Sequence, residues 1–161
     1  EILQKYYKNI KVLLHLKIDC IFAPVMSNTR FATAIHILTL LAVSPGEYLS
    51  SEWIAGSIGI NPVIVRKELS MLHEAKLVFT RKGKDGGSTL NKPATEIFLA
   101  DIYIAVKNSE VLGKKNQCPN PLCPIGKRIN EKLENLFTET DRVVINFLKD
   151  KTLADFASQF H

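Results

Sequence analysis

Cations and glycines are interleaved over Arg81-Lys82-Gly83-Lys84-Asp85-Gly86-Gly87, between two short β-prone runs. Arginine and lysine offer charge-assisted donors to phosphate oxygens, and glycine lets backbone amides approach the same anion. This is not a nucleotide loop, because no glycine leads into Lys-Ser or Lys-Thr at the spacing a triphosphate cradle needs. It reads as a basic tip that reaches the backbone or neighbouring minor groove of a duplex. A second set, Asn61, Val63, Arg66 and Lys67, lies at the start of a predicted helix. There an arginine can grip a guanine through two N–H groups, and a valine can touch a thymine methyl. Ser50 and Ser51 stand at another predicted helix start and can donate to a phosphate.

Cys118 and Cys123 form the third set. Cys123 precedes Pro124 and is expected to be the N-cap of a long helix, where end amides with Lys127 and Arg128 would favour a reactive thiolate. Cys118 is then near enough in sequence to resolve an oxidised Cys123. A plain capping role for Cys123 and an intersubunit disulfide are the alternatives.

Positioning these sets requires particular elements. Phe31, Ala34, Ile35, Leu38, Leu41 and Ala42 recur at helical spacing and predict one apolar face, ended by Ser44-Pro45-Gly46. Ser50 predicts the cap of a short helix, Ser51–Ile58, with Gly59 as its exit. Asn61-Pro62 restarts a helix through Lys76, with Ile64, Leu69, Leu72 and Ala75 expected in the core. Leu77–Lys82 and Ser88–Lys92 predict a hairpin around the basic tip, and a helical stretch follows within Ile97–Val106. A polar loop, 108–123, precedes a helix predicted from Pro124 to Lys149, about 39 Å long at 1.5 Å per residue. Its apolar positions lean towards a dimer seam. Thr152 and Asp155 predict a capping box for a last short helix.

The composition, 46% apolar and 23% charged over 161 residues, is that of a globular domain. No apolar run is long enough for a membrane span, and three cysteines argue against a disulfide-built secreted fold and for the cytoplasm. Residues 1–25 contain no Gly, Ser or Thr and read as a leader or appended segment, or as an amphipathic arm. Without them 17 basic and 14 acidic side chains remain. Any nucleic-acid partner must therefore be held by local clustering rather than by global charge.

Two capped helices followed by a basic hairpin describe a winged helix-turn-helix, with the second helix in the major groove. Thr80–Leu90, Asn91-Lys92-Pro93 and Glu96–Val106 resemble the Rrf2 family of bacterial winged-helix regulators. Gly83, Gly86 and Gly87 match that family's wing, while Lys82 replaces an arginine and Ser88 an aromatic. The resemblance extends over about residues 26–160, and Asn120–Lys127 is similar to the YwnA-like branch. It implies a homodimeric, sequence-specific regulator, usually a repressor, often tied to redox, iron–sulphur or cysteine status. Cluster-binding members carry three close cysteines in the loop. This loop has Cys118 and Cys123, so no cofactor or metal is expected.

The expectation is a mainly α fold with a small β-hairpin: a winged-helix domain at 26–107, the cysteine loop at 108–123, and a dimerisation region at 124–161. Its partners are double-stranded operator DNA and a second copy, with no membrane. The rivals are a thiol oxidoreductase using Cys118 and Cys123, and a winged-helix protein-interaction module. The first lacks a C-x-x-C on a βαβ unit, and no nucleophile–base–orienter set suggests an enzyme.

Overall fold

The computed structural model describes residues 29–83, 86–107, 111–120 and 122–160. The leader reading of residues 1–25, Cys20 and Lys84 fall outside them. Helix α1, Arg30–Val43, buries Ala34, Ile35, Ile37, Leu38 and Leu41. Helix α2, Ser51–Ile58, begins as its cap predicts: the Ser50 hydroxyl accepts from the Trp53 N–H at 3.1 Å. It ends at Gly59, whose φ of +76° is the left-handed conformation that glycine adopts without strain. Helix α3, Pro62–Glu74, is capped by the Asn61 Oδ1, which accepts from the Val63 N–H at 2.8 Å.

The phase of α3 departs from expectation. Leu69 and Leu72 are buried, but Ile64 is 48% exposed and Ala75 also lies outside, while Val65 and Glu68 turn inward. Glu68 is buried because the Arg30 guanidinium meets it with two parallel bonds, Nε to Oε1 at 2.9 Å and Nη2 to Oε2 at 3.0 Å. Glu68 lies on one face with Val65, Leu69 and Leu72, the three following Val65 at spacings of three, four and seven residues. Its pairing with Arg30 ties that face to α1 and leaves Ile64 outside. The helix also ends two residues early: Lys76 adopts φ +58°, and the Leu77 N–H closes onto the Leu72 carbonyl at 2.9 Å.

Strands β1, Val78–Arg81, and β2, Gly87–Leu90, pair antiparallel with Val78 opposite Leu90 and Arg81 opposite Gly87. The sequence reading missed a third partner. Leu49 and Ser88 exchange two backbone bonds, 3.0 and 2.9 Å, so the segment entering α2 lies along the wing. Helix α4, Leu99–Val106, follows a 3-10 turn at Ala94–Glu96. The chain returns to this point from its C-terminus: the Leu99 N–H donates to the Lys151 carbonyl and the Leu153 N–H to the Ile97 carbonyl, both at 2.8 Å.

Helix α5 runs from Ile129 to Leu148, 20 residues or about 30 Å, and not from Pro124. Residues 122–128 form turns instead. Gly126 lies so close to the Asn120 carbonyl that no side chain fits there, and this fold-back keeps the segment out of the helix. Helix α6, Leu153–Ala157, carries the predicted Thr152–Asp155 capping box. Ile37, Leu38, Leu41, Ile54, Leu72, Ile97, Ile102 and Leu153 form one core, fully buried, shared by helices α1–α4 and α6 and the residue that follows the 3-10 turn.

Candidate nucleic-acid interface

The start of α2, one face of α3 and the wing enclose an open cleft of about 670 Å³. Arg66, Arg81 and Lys82 line it with Ser50 and Ser51, and Glu52 is the one acidic residue among the described lining residues. Of the cations predicted from the sequence, Arg66, Arg81 and Lys82 are thus brought together on one concave face, whereas Lys67, like Asn61 and Val63, does not line it and Lys84 lies outside the described residues.

On α3, Val63 is 62% exposed and Lys67 is also outside, as a helix presented to a groove requires. Arg66 is exposed but held: its Nη1 donates to Glu52 Oε1 at 2.7 Å and to the Ser51 hydroxyl at 3.3 Å. The Ser51 hydroxyl in turn donates to Glu52 Oε2 at 3.1 Å. The Glu52 carboxyl is held below its usual range by its own backbone N–H, then the Ser51 hydroxyl and the Arg66 guanidinium. It is therefore charged at neutral pH. Asn61 spends its Oδ1 on the cap, and a bidentate grip on adenine would need that same oxygen. Ser50 also caps, but through a lone pair, so its proton can still go to a phosphate.

On the wing, the Arg81 guanidinium lies 4.5 Å from the centre of the Tyr48 ring, and Tyr48 meets Phe79 edge-on with ring centres 6.4 Å apart. Neither aromatic stands out in the sequence, although Tyr48-Leu49 between Gly46 and Ser50 is a β-type dipeptide. The wing glycines act differently from expectation. Gly83 adopts φ +114°, whereas Gly86 is pressed against the Arg81 carbonyl. A Cβ on Gly87 would lie 2.8 Å from the Leu49 carbonyl oxygen. Both close approaches occur within the protein, not towards a ligand. Ser88, which stands where an aromatic was expected, is buried with its hydroxyl 3.1 Å from that of Thr80. His73, also on the cleft, donates from Nδ1 to the Val78 carbonyl at 3.1 Å, tying α3 to β1.

Cys118 and Cys123 are both exposed. Cys123 is not the N-cap of α5, as its place before Pro124 suggested: the helix begins six residues later, with Arg128 in the cap position. The Cys123 carbonyl accepts the Lys127 N–H at 2.9 Å, one of several turn bonds that precede α5. No group of three His, Cys, Asp or Glu among the described residues is arranged to hold a metal ion. With two loop cysteines as the soft donors, this donor set does not fit a four-ligand cluster.

A winged helix whose cations share one cleft with the start of α2 and a face of α3 defines a DNA-binding regulator. More narrowly, the chain belongs to the Rrf2 family: the family's pattern, described as an iron-dependent transcriptional regulator, matches residues 27–159. It is 42% identical over 130 residues to YwnA of Bacillus subtilis (strain 168), named as an HTH-type transcriptional regulator, covering 81% of this chain and 96% of that one. A crystal structure described as a DNA-binding protein has 37% identity and a TM-score of 0.62, covering 79% of this chain and 97% of its own. CymR, the global cysteine regulator of B. subtilis, shares the fold with a TM-score of 0.57 at 22% identity, covering 84% and 98%. YwnA and CymR are both named as regulators. No helix among the described residues is long and apolar enough to cross a membrane.

Proposed function

We propose that this protein is a cytoplasmic, homodimeric repressor that reads operator DNA with α3 and grips its backbone with the wing. The observation that carries the reading is the shared cleft, in which Arg66 from α3 and Arg81 and Lys82 from the wing face one space. Arg66 and Val63 address base edges, with Lys67 and Asn61 beside them. Arg81, Lys82, Lys84 and the Ser50–Ser51 helix start address phosphates. Residues 26–107 form the DNA-binding unit.

Dimerisation through 124–161 is supported by Ile129, Leu133, Leu136, Thr140, Val143 and Phe147, which alternate by four and three along α5. Leu136, Val143 and Phe147 are 52%, 68% and 67% exposed. Two α3 helices set about 34 Å apart would read a pseudo-palindrome. Cys118 and Cys123, accessible in the loop before that helix, serve as the thiol switch.

Duplex selection from a random pool, with reduced and with oxidised protein, tests the reading. It should recover a pseudo-palindrome with half-sites about one helical turn apart. Oxidant should lower binding, and Cys123→Ser should remove that response. A pool that stays random after selection refutes the operator reading, and an unchanged oxidant response in Cys123→Ser refutes the switch.

A further inference from the structure

An acidic side chain on a phosphate-facing surface opposes binding unless it does something there. Glu52 is such a residue: it is 66% exposed at the side chain and ionised, and it lines the cleft among Arg66, Arg81 and Lys82. Its place in the first turn of α2 favours an acid, but any acid in that turn would serve the helix equally. The contact with Arg66 is more specific, because it joins two helices across 14 residues of sequence.

Only one guanidinium nitrogen is engaged. Nη1 carries both bonds, to Glu52 and to Ser51, and among the described residues Nη2 and Nε make none. Three groups therefore form a closed set, Arg66 Nη1, Glu52 carboxylate and Ser51 hydroxyl, at 2.7, 3.1 and 3.3 Å. A guanidinium docked along one corner loses much of its rotamer freedom while its opposite edge, Nη2–H and Nε–H, stays available as a planar fork. That fork matches the O6 and N7 acceptors of guanine.

We propose that Glu52, braced by Ser51, is a specificity-determining residue that holds Arg66 in one orientation for reading a guanine. This rests on the proposed operator reading. The consequence is an unusual pair of effects. Neutralising Glu52 removes a repulsive charge from the phosphate-facing surface, so random duplex should bind more tightly. It also frees Arg66 to swing onto phosphates or other bases, so base preference should fall.

The test compares wild type, Glu52→Gln and Glu52→Ala on the selected operator, the same duplex with each candidate guanine replaced, and a scrambled duplex. Arg66→Ala identifies the guanine position. A single bidentate contact discriminates by about 5- to 150-fold. In the Glu52 variants that ratio should drop at least about threefold, with scrambled-duplex binding tightened by about 1.5- to 5-fold, the range of one exposed charge interaction. Glu52→Gln should keep more of the preference than Glu52→Ala, because its amide oxygen can still accept from Nη1. Unchanged guanine preference, or an equal change on all duplexes, overturns the inference and leaves the operator reading standing. Wild type that shows no preference between operator and scramble overturns both.

Discussion

Replacing Arg30 with methionine tests whether the recognition helix is set by a buried ion pair. Arg30 and Glu68 are bound through both Nε–Oε1 and Nη2–Oε2, with side-chain exposures of 18% and 4%. Methionine retains most of the aliphatic volume but leaves the Glu68 carboxylate buried without its cation. Losing one member of a buried pair costs about 3–5 kcal/mol. Because Arg30 keeps a solvent-facing edge, water can reach part of the vacated site, which places the expected loss near 3 kcal/mol. That is a large share of a domain stability of about 5–15 kcal/mol. Arg30→Met with Glu68→Leu removes both charges and should return to within about 1 kcal/mol of wild type. Urea unfolding followed by far-UV circular dichroism, at fixed protomer concentration, reads all three proteins. The reasoning fails if Arg30→Met costs less than about 1 kcal/mol, or if the double variant is no better than the single.

Gly87→Ala should destabilise by about 1–3 kcal/mol, because its Cβ would press on the Tyr48–Leu49 backbone. Gly56→Ala, inside α2 with open space around it, should raise stability by about 0.5–1 kcal/mol, and thermal unfolding separates the two signs. Burial alone would raise the Asp141 carboxyl, but bonds from Lys107, the Val111 N–H and the Tyr103 hydroxyl hold it below its ordinary value of 3.8. Its contribution to stability is therefore complete above that value and lost as pH falls through the lower folded one. Asp141→Asn should flatten the acid limb of a stability–pH curve below pH 4 as well as lowering the plateau. Leu136→Lys with Val143→Glu should make the protein monomeric by sedimentation, since both side chains lie on the exposed stripe of α5.

Where an element is set by local chemistry, the sequence alone carried it. Ser50, Gly59, Asn61-Pro62 and the Thr152–Asp155 pair are caps whose partners lie within four residues, and all are where their types imply. Long-range determinants were invisible. Glu68 reads as a solvated charge until Arg30, 38 residues earlier, is seen against it, and it shares the buried face with Val65 rather than Ile64. Pro124 is a good first helical residue, yet the approach of Asn120 to Gly126 moves the helix start to Ile129. In the site, the cations were legible as types. Their organisers, Glu52 and Tyr48, were not, because each acts on an arginine more than ten residues away.

The most direct measurement is a salt titration of duplex binding, comparing the selected operator with its scramble. The operator should bind at least about a thousandfold more tightly at physiological salt. Both affinities should fall as salt rises, and Arg81→Ala should lower the log–log slope by about one on both duplexes. Equal affinity for the two duplexes, or binding indifferent to salt, would contradict the assignment of the α3–wing cleft as a reader of DNA.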